Sequence, residues 1–278
     1  MKFPGACIIL PAVRKTAKTA TLDHDRQIEL PHSIFGPFRH LEAIPWLMLA
    51  TAIRVFVNNP PPAMQVLITI VSSLAVFLAF RIMAQRLIEY TNCPARLGYL
   101  GSTEQLKLAL DIVGRFFLAS FIGAVVLVLA GNGDAFFLFL ALDGMSFDQD
   151  SVTVIVWSSV SAAVILLMLL GAERTGSTAI RGALKELAWH GIWLAPAISF
   201  VAVFLIGLDV IQDWVRSLVA MYWQTGPTWF AKAFVYFMFV FGFATFRLWV
   251  VTAILVSALR LSYRYNIGPS DPDTVGQK

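Results

Sequence analysis

Along most of this chain apolar residues follow one another without the polar alternation that marks a water-exposed surface, and the breaks between runs are short. Runs of this kind read as membrane-spanning helices, because about 20 apolar residues in a helix cross the roughly 30 Å hydrocarbon layer. The longest runs from Trp229 to Leu261, with Phe234, Phe237, Phe239, Phe241 and Phe243 on it and one charge, Arg247, near its middle. Within it a crossing over 233–258 is predicted, preceded by crossings over 63–80, 116–130, 152–172 and 189–208. The run 41–57 is shorter and holds Pro45 and Arg54, so taken alone it reads equally well as an interfacial helix.

Charge decides that case. Basic residues stay on the cytoplasmic side of a membrane. The N-terminal stretch (Arg14, Lys15, Lys18, Arg26, Arg39) and the segment after Phe80 (Arg81, Arg86, Arg96, Lys107, Arg115) are both basic. An even number of crossings must therefore separate them, which makes 41–80 a helical hairpin turning at Asn58-Asn59-Pro60-Pro61-Pro62, with Arg54 snorkelling outward. The fold class that follows is an all-α membrane protein: six transmembrane helices, with the N- and C-termini cytoplasmic and short amphipathic helices in the cytoplasmic loops. In that scheme 17 of the 21 Lys and Arg residues lie inside, and the loop 131–151, with Asp134, Asp143, Asp148 and Asp150 and no Lys or Arg, lies outside.

Smaller patterns refine the scheme. Ser102-x-x-Gln105 has the form of a capping box and opens a helix with Leu106, Leu110, Val113 and Phe117 on one face. Ile180, Leu184 and Leu187 mark a short surface helix between the fourth and fifth crossings. Gly191, Ala195 and Ser199 recur at four-residue steps, a stripe of small residues that lets membrane helices approach closely. The organisation expected is a flexible basic tail over 1–40, a transmembrane domain over 41–262 and a disordered tail over 263–278.

Composition agrees with the pattern. The 278 residues are 58% hydrophobic and 14% charged, against about 25% charged in soluble domains. The first residues lack a helical h-region followed by a cleavage site, so the N-terminus is expected to be retained. Cys7 and Cys93 have no metal-ligand spacing and read as free thiols. Short loops and a basic interior suit a bacterial plasma (inner) membrane. The lipid bilayer is the expected surrounding, with other membrane subunits or a second copy as partners and no nucleic acid.

Candidate chemistry is sparse. No glycine loop for nucleotide phosphates occurs, and His24, His32, His40 and His190 form no metal spacing, so neither a cofactor nor a metal is expected. Each histidine reads as a surface or interfacial residue. Asp143, Asp148 and Asp150 offer oxygen ligands but lack the glycine and final glutamate of a calcium loop, and read as a solvated acidic loop. Arg81, Arg86, Arg115, Arg174, Arg181, Arg260 and Arg264 line the inner rim, as the charge preference alone would place them.

Arg247 is the sharpest feature. A guanidinium deep in hydrocarbon costs from about 3 to more than 10 kcal/mol, so it must face protein, water or an anion. The carboxylates Asp111, Glu173 and Asp209 fall toward span ends, on the order of 10 Å away in depth. Ser158 and Ser161 are the nearer acceptors expected, together with Ser159 and carbonyls freed at Pro196. Arg247 then orders the bundle, holds an anion or meets an acidic partner helix. The reading is a polytopic membrane protein, transport-type or complex-forming and without catalysis of its own. The alternative is a membrane enzyme acting on a lipid-linked phosphate at the basic rim.

Overall fold

Backbone amides and carbonyls find no partners in hydrocarbon, so runs this apolar satisfy their hydrogen bonds internally, as helices. In the computed structural model, which describes residues 41–56, 62–90, 102–131, 135–149, 151–176, 178–225 and 228–266, seven α-helices follow one another. They are α1 (Ile44–Phe56), α2 (Pro62–Tyr90), α3 (Ser102–Leu129), α4 (Val152–Thr175), α5 (Ile180–Trp189), α6 (Gly191–Thr225) and α7 (Trp229–Asn266). Five of them, α2, α3, α4, α6 and α7, are long and apolar enough to cross a membrane.

The helix expected over 41–57 forms as α1, but with 13 residues it is about 20 Å long and short of the hydrocarbon thickness. Pro45 sits in its first turn, where a missing N–H leaves no bond unmade. Leu47, Ala50 and Thr51 are buried, and the helix packs on α2 and α7. Its ends are pinned by charge: Glu42, just ahead of it, takes Arg86 of α2 at 2.8 Å, and Arg54 reaches Asp143 at 3.6 Å.

Helix α4 is the centre of the bundle. Every residue from Ser161 to Leu170 is buried, as befits a helix apolar on all sides. It ends at Gly176, whose φ of 69° is left-handed and whose N–H returns to the Ala172 carbonyl, a cap that glycine adopts without steric cost. By contrast α3 and α6 turn Leu118, Phe121, Phe200 and Val203 outward, apolar surface that lipid covers and water would not. Pro196 lies near the start of α6, which runs on through 35 residues. With the 38-residue α7 beside it, it forms a pair whose members each exceed about 50 Å.

Several expected boundaries shift. The fifth crossing does not stop at 208; α6 continues to Thr225, and α7 carries the chain to Asn266, past the expected start of the tail at 263. The buried face of α3 is Ala109, Ile112, Val113 and Phe116, whereas Leu106 and Leu110 are exposed, so the expected face is turned by about one residue. The tail 1–40, residues 267–278, Cys7, Cys93 and the turn 57–61 lie outside the described residues.

The largest departure is the connection between α3 and α4. Expected as a solvated acidic loop, it instead tucks into the bundle: two 3-10 turns, Phe136–Leu140 and Asp143–Met145, bring Ala141 to Phe147 into complete burial. Trp157 Nε1 donates to the Leu138 carbonyl and Ser146 Oγ to that of Ala244, both at 3.1 Å. Gly144 lies so close to α4 that a Cβ there would stand 2.1 Å from Ser158 Oγ. Phe136-Phe137-Leu138-Phe139-Leu140 is as apolar as a span but too short to cross one, which is the signal the charge count hid.

Candidate functional site

Arg247 is fully buried, and the structure gives it two carboxylates. It forms ion pairs with Asp209 of α6 and, at 3.8 Å, with Asp148 of the connector, and Nη1 donates to the Phe147 carbonyl at 2.9 Å. The expectation that no carboxylate comes near is thus corrected. Because α6 runs past Asp209 for sixteen more residues, that side chain points into the bundle from mid-helix rather than out of it from a helix end. Neither Ser158 nor Ser161 serves as acceptor; both are buried, and their hydroxyls have no hydrogen-bond partner among the described residues.

Two further arginines join the cluster. Arg216 of α6 pairs with Asp148 and, at 3.0 Å, with Asp213. Arg54 of α1 donates to the Asp148 carbonyl at 3.3 Å, and its guanidinium lies 4.9 Å from the centre of the Phe147 ring, within range of a cation–π attraction. One dipeptide, Phe147-Asp148, therefore engages arginines from three helices. Beside it Asp143 is buried, accepts from Ser72 Oγ at 3.0 Å and faces Arg54. Burial pushes its carboxyl above the ordinary range, opposed by Arg54 and by the Ser72 hydrogen bond.

The cluster borders a chamber of about 240 Å³. Arg54, Asp148, Gln212, Arg216 and Tyr236 give it polar groups, and Val55, Phe239 and Val240 form an apolar wall. Of the three aspartates that offer calcium ligands in the sequence, Asp143 and Asp148 are turned to arginines and Asp150 lies outside the described residues; no metal-holding group of His, Cys, Asp or Glu occurs among the described residues.

Three arginines of the basic rim are buried or ion-paired. Arg81 is buried within the bundle, Arg86 is paired with Glu42 and Arg115 with Asp111 at 2.9 Å, and the side chains of Arg174 and Arg264 lie outside the described residues. Asp111 also accepts from Thr178 Oγ1. His190, read from sequence as a surface or interfacial residue, is buried. Its Nδ1 lies 2.7 Å from Ser262 Oγ, and its ring meets that of Tyr263 edge-on, so it ties the start of α6 to the end of α7. Of the small-residue stripe, Ala195 and Ser199 face outward, whereas Leu194, Ala197, Val201 and Leu205 make the seam of α6 inside this chain.

Compared with known proteins, the chain matches no family model, no curated protein and no solved structure.

Proposed function

We infer that this chain is a transport-type membrane component, without catalysis of its own, that passes a small polar solute through the chamber beside Arg247. The observation that carries this reading is the chamber itself: a polar space among apolar helices, bounded by arginines from α1 and α6. Polar groups placed in a membrane domain are costly and are retained where a solute or ion path uses them. The neutralisation of Arg247 by Asp209 and Asp148 makes it a strut of that chamber rather than a lone anion trap.

The topology that goes with this reading has six passes, α1 acting as a short leg beside α2, and both termini on the cytoplasmic side of a bacterial plasma membrane. The asymmetry of Lys and Arg supports it. The test is solute counterflow in proteoliposomes holding the purified chain alone. Saturable exchange that falls at least tenfold in Val240→Phe, which fills the chamber, is expected. Turnover of a lipid-linked phosphate by the same preparation, or exchange untouched by Val240→Phe, overturns the reading. Exchange that appears only with a co-purified subunit makes the chain a part of a complex instead.

A further inference from the structure

The solute class follows from which hydrogen-bonding groups the chamber leaves unspent, and this inference rests on the transport reading above. We propose that the chamber binds a small zwitterion, a molecule with an oxyanion and a protonated amine, through Arg54 and Arg216 on one part and Gln212 with Asp148 on the other.

A guanidinium has five N–H donors. Arg54 spends its own on Asp143 and the Asp148 carbonyl, and Arg216 spends Nη1 and Nη2 on Asp213 and Asp148. Both side chains stay partly exposed, at 40% and 45%, and both line the chamber. They retain donors for an oxyanion. Gln212 is the opposite case. It also lines the chamber, it is only 4% exposed, and its Oε1 finds no donor among the described residues. A buried amide oxygen in that condition calls for an N–H or O–H from outside the fold, and a turn of the Gln212 amide about its last side-chain bond brings the oxygen, now shielded, to the chamber. A protonated amine supplies it, and the Asp148 carboxylate beside it favours the positive charge.

Net charge argues the same way. Arg54, Arg216 and Arg247 face four carboxylates, Asp143, Asp148, Asp209 and Asp213, so the cluster carries no surplus positive charge for a bare anion, whereas an oxyanion that brings its own protonated amine adds no further negative charge. Val55, Phe239 and Val240 offer an apolar wall for the rest of the molecule. The volume of about 240 Å³ falls below the roughly 300–1,000 Å³ of drug-sized sites, which suits something the size of an amino acid. The same chemistry exists in two sources: a free amino acid, or the phosphoethanolamine headgroup of a lipid.

The test measures binding, not flux, by thermal shift of the purified full chain. One arm adds glycine, leucine or phenylalanine, each with its N-acetyl and carboxamide derivatives. The other compares nanodiscs of phosphatidylethanolamine with nanodiscs of phosphatidylglycerol. A free-solute site gives stabilisation by at least one amino acid, tenfold weaker apparent affinity for both derivatives, and tenfold weaker affinity in Gln212→Leu. A headgroup site gives stabilisation by phosphatidylethanolamine that Gln212→Leu erases. Val240→Phe, at a half-buried wall position, abolishes either response and serves if Gln212→Leu does not fold. No response of the wild-type chain in either arm, or a response undiminished in both variants, overturns the proposal. Binding without counterflow would retire the transport reading while leaving the site standing.

Discussion

Arg247 and Asp209 meet beneath the α6–α7 turn, Asp209 sixteen residues before the end of α6 and Arg247 eighteen residues after the start of α7, and form an ion pair inside the bundle. Such a pair gives little net stability over an apolar one, but losing one partner strands the other. Arg247→Met or Asp209→Leu alone is therefore expected to cost about 3–5 kcal/mol, and the double substitution less than the sum of the two. Thermal unfolding in detergent, read as a double-mutant cycle, checks this; additive losses would mean that the pair is not coupled.

Gly144 has no room for a side chain. A Cβ there would stand 2.1 Å from Ser158 Oγ and 3.1 Å from its Cβ, and overpacking of this kind costs about 1–3 kcal/mol. Gly144→Ala should lower the unfolding temperature, and Gly144→Ala with Ser158→Gly should recover most of the loss.

Asp143 sets a pH dependence of definite sign. Its folded-state carboxyl titrates above the ordinary value because it is buried, so between the two values the folded state holds the proton more tightly than the unfolded state. The slope of stability against pH is then negative. Stability contributed by the protonated form is present at low pH and is lost as the pH rises from about 4 through the folded-state value. Asp143→Asn, which can still accept from Ser72, should remove that decline relative to wild type in pH-dependent unfolding curves.

Side assignment is open to direct labelling. In a chain with Cys7 and Cys93 replaced, Gln224→Cys at the α6–α7 turn should react with an impermeant maleimide added to intact cells. Lys185→Cys on the exposed face of α5 should react only after permeabilisation. The reverse pattern would invert the orientation.

The long apolar helices were legible because hydrophobic run length alone determines them: 63–80, 116–130, 152–172 and 233–258 each lie within or nearly within a helix, and Ser102 does open α3. The short surface helix also appeared, as α5, from the spacing of Ile180, Leu184 and Leu187. What periodicity could not show was how far α6 continues past polar residues. Asp209, Gln212 and Asp213 read as a boundary in one dimension, whereas in the fold Asp209 and Gln212 turn inward, to Arg247 and to the chamber. The connector departs from its sequence pattern for a related reason. Its aspartates read in one dimension as solvated charges, yet Asp143 and Asp148 are taken up by Arg54, Arg216 and Arg247, which no local window of sequence brings near them. Arg247 itself was legible as a buried charge, but its partners were not.

The grip of Phe147-Asp148 on three helices also sets a schedule for biogenesis. Its partners lie 94 residues upstream at Arg54, and 68 and 100 residues downstream at Arg216 and Arg247. As the chain leaves the ribosome the connector is made after Arg54 but well before Arg216 and Arg247, so it waits, only partly clasped, until α7 has been inserted. Closure of the bundle is then a late, single event in maturation, and a nascent chain halted before Arg247 lacks the lock that seats its own midsection.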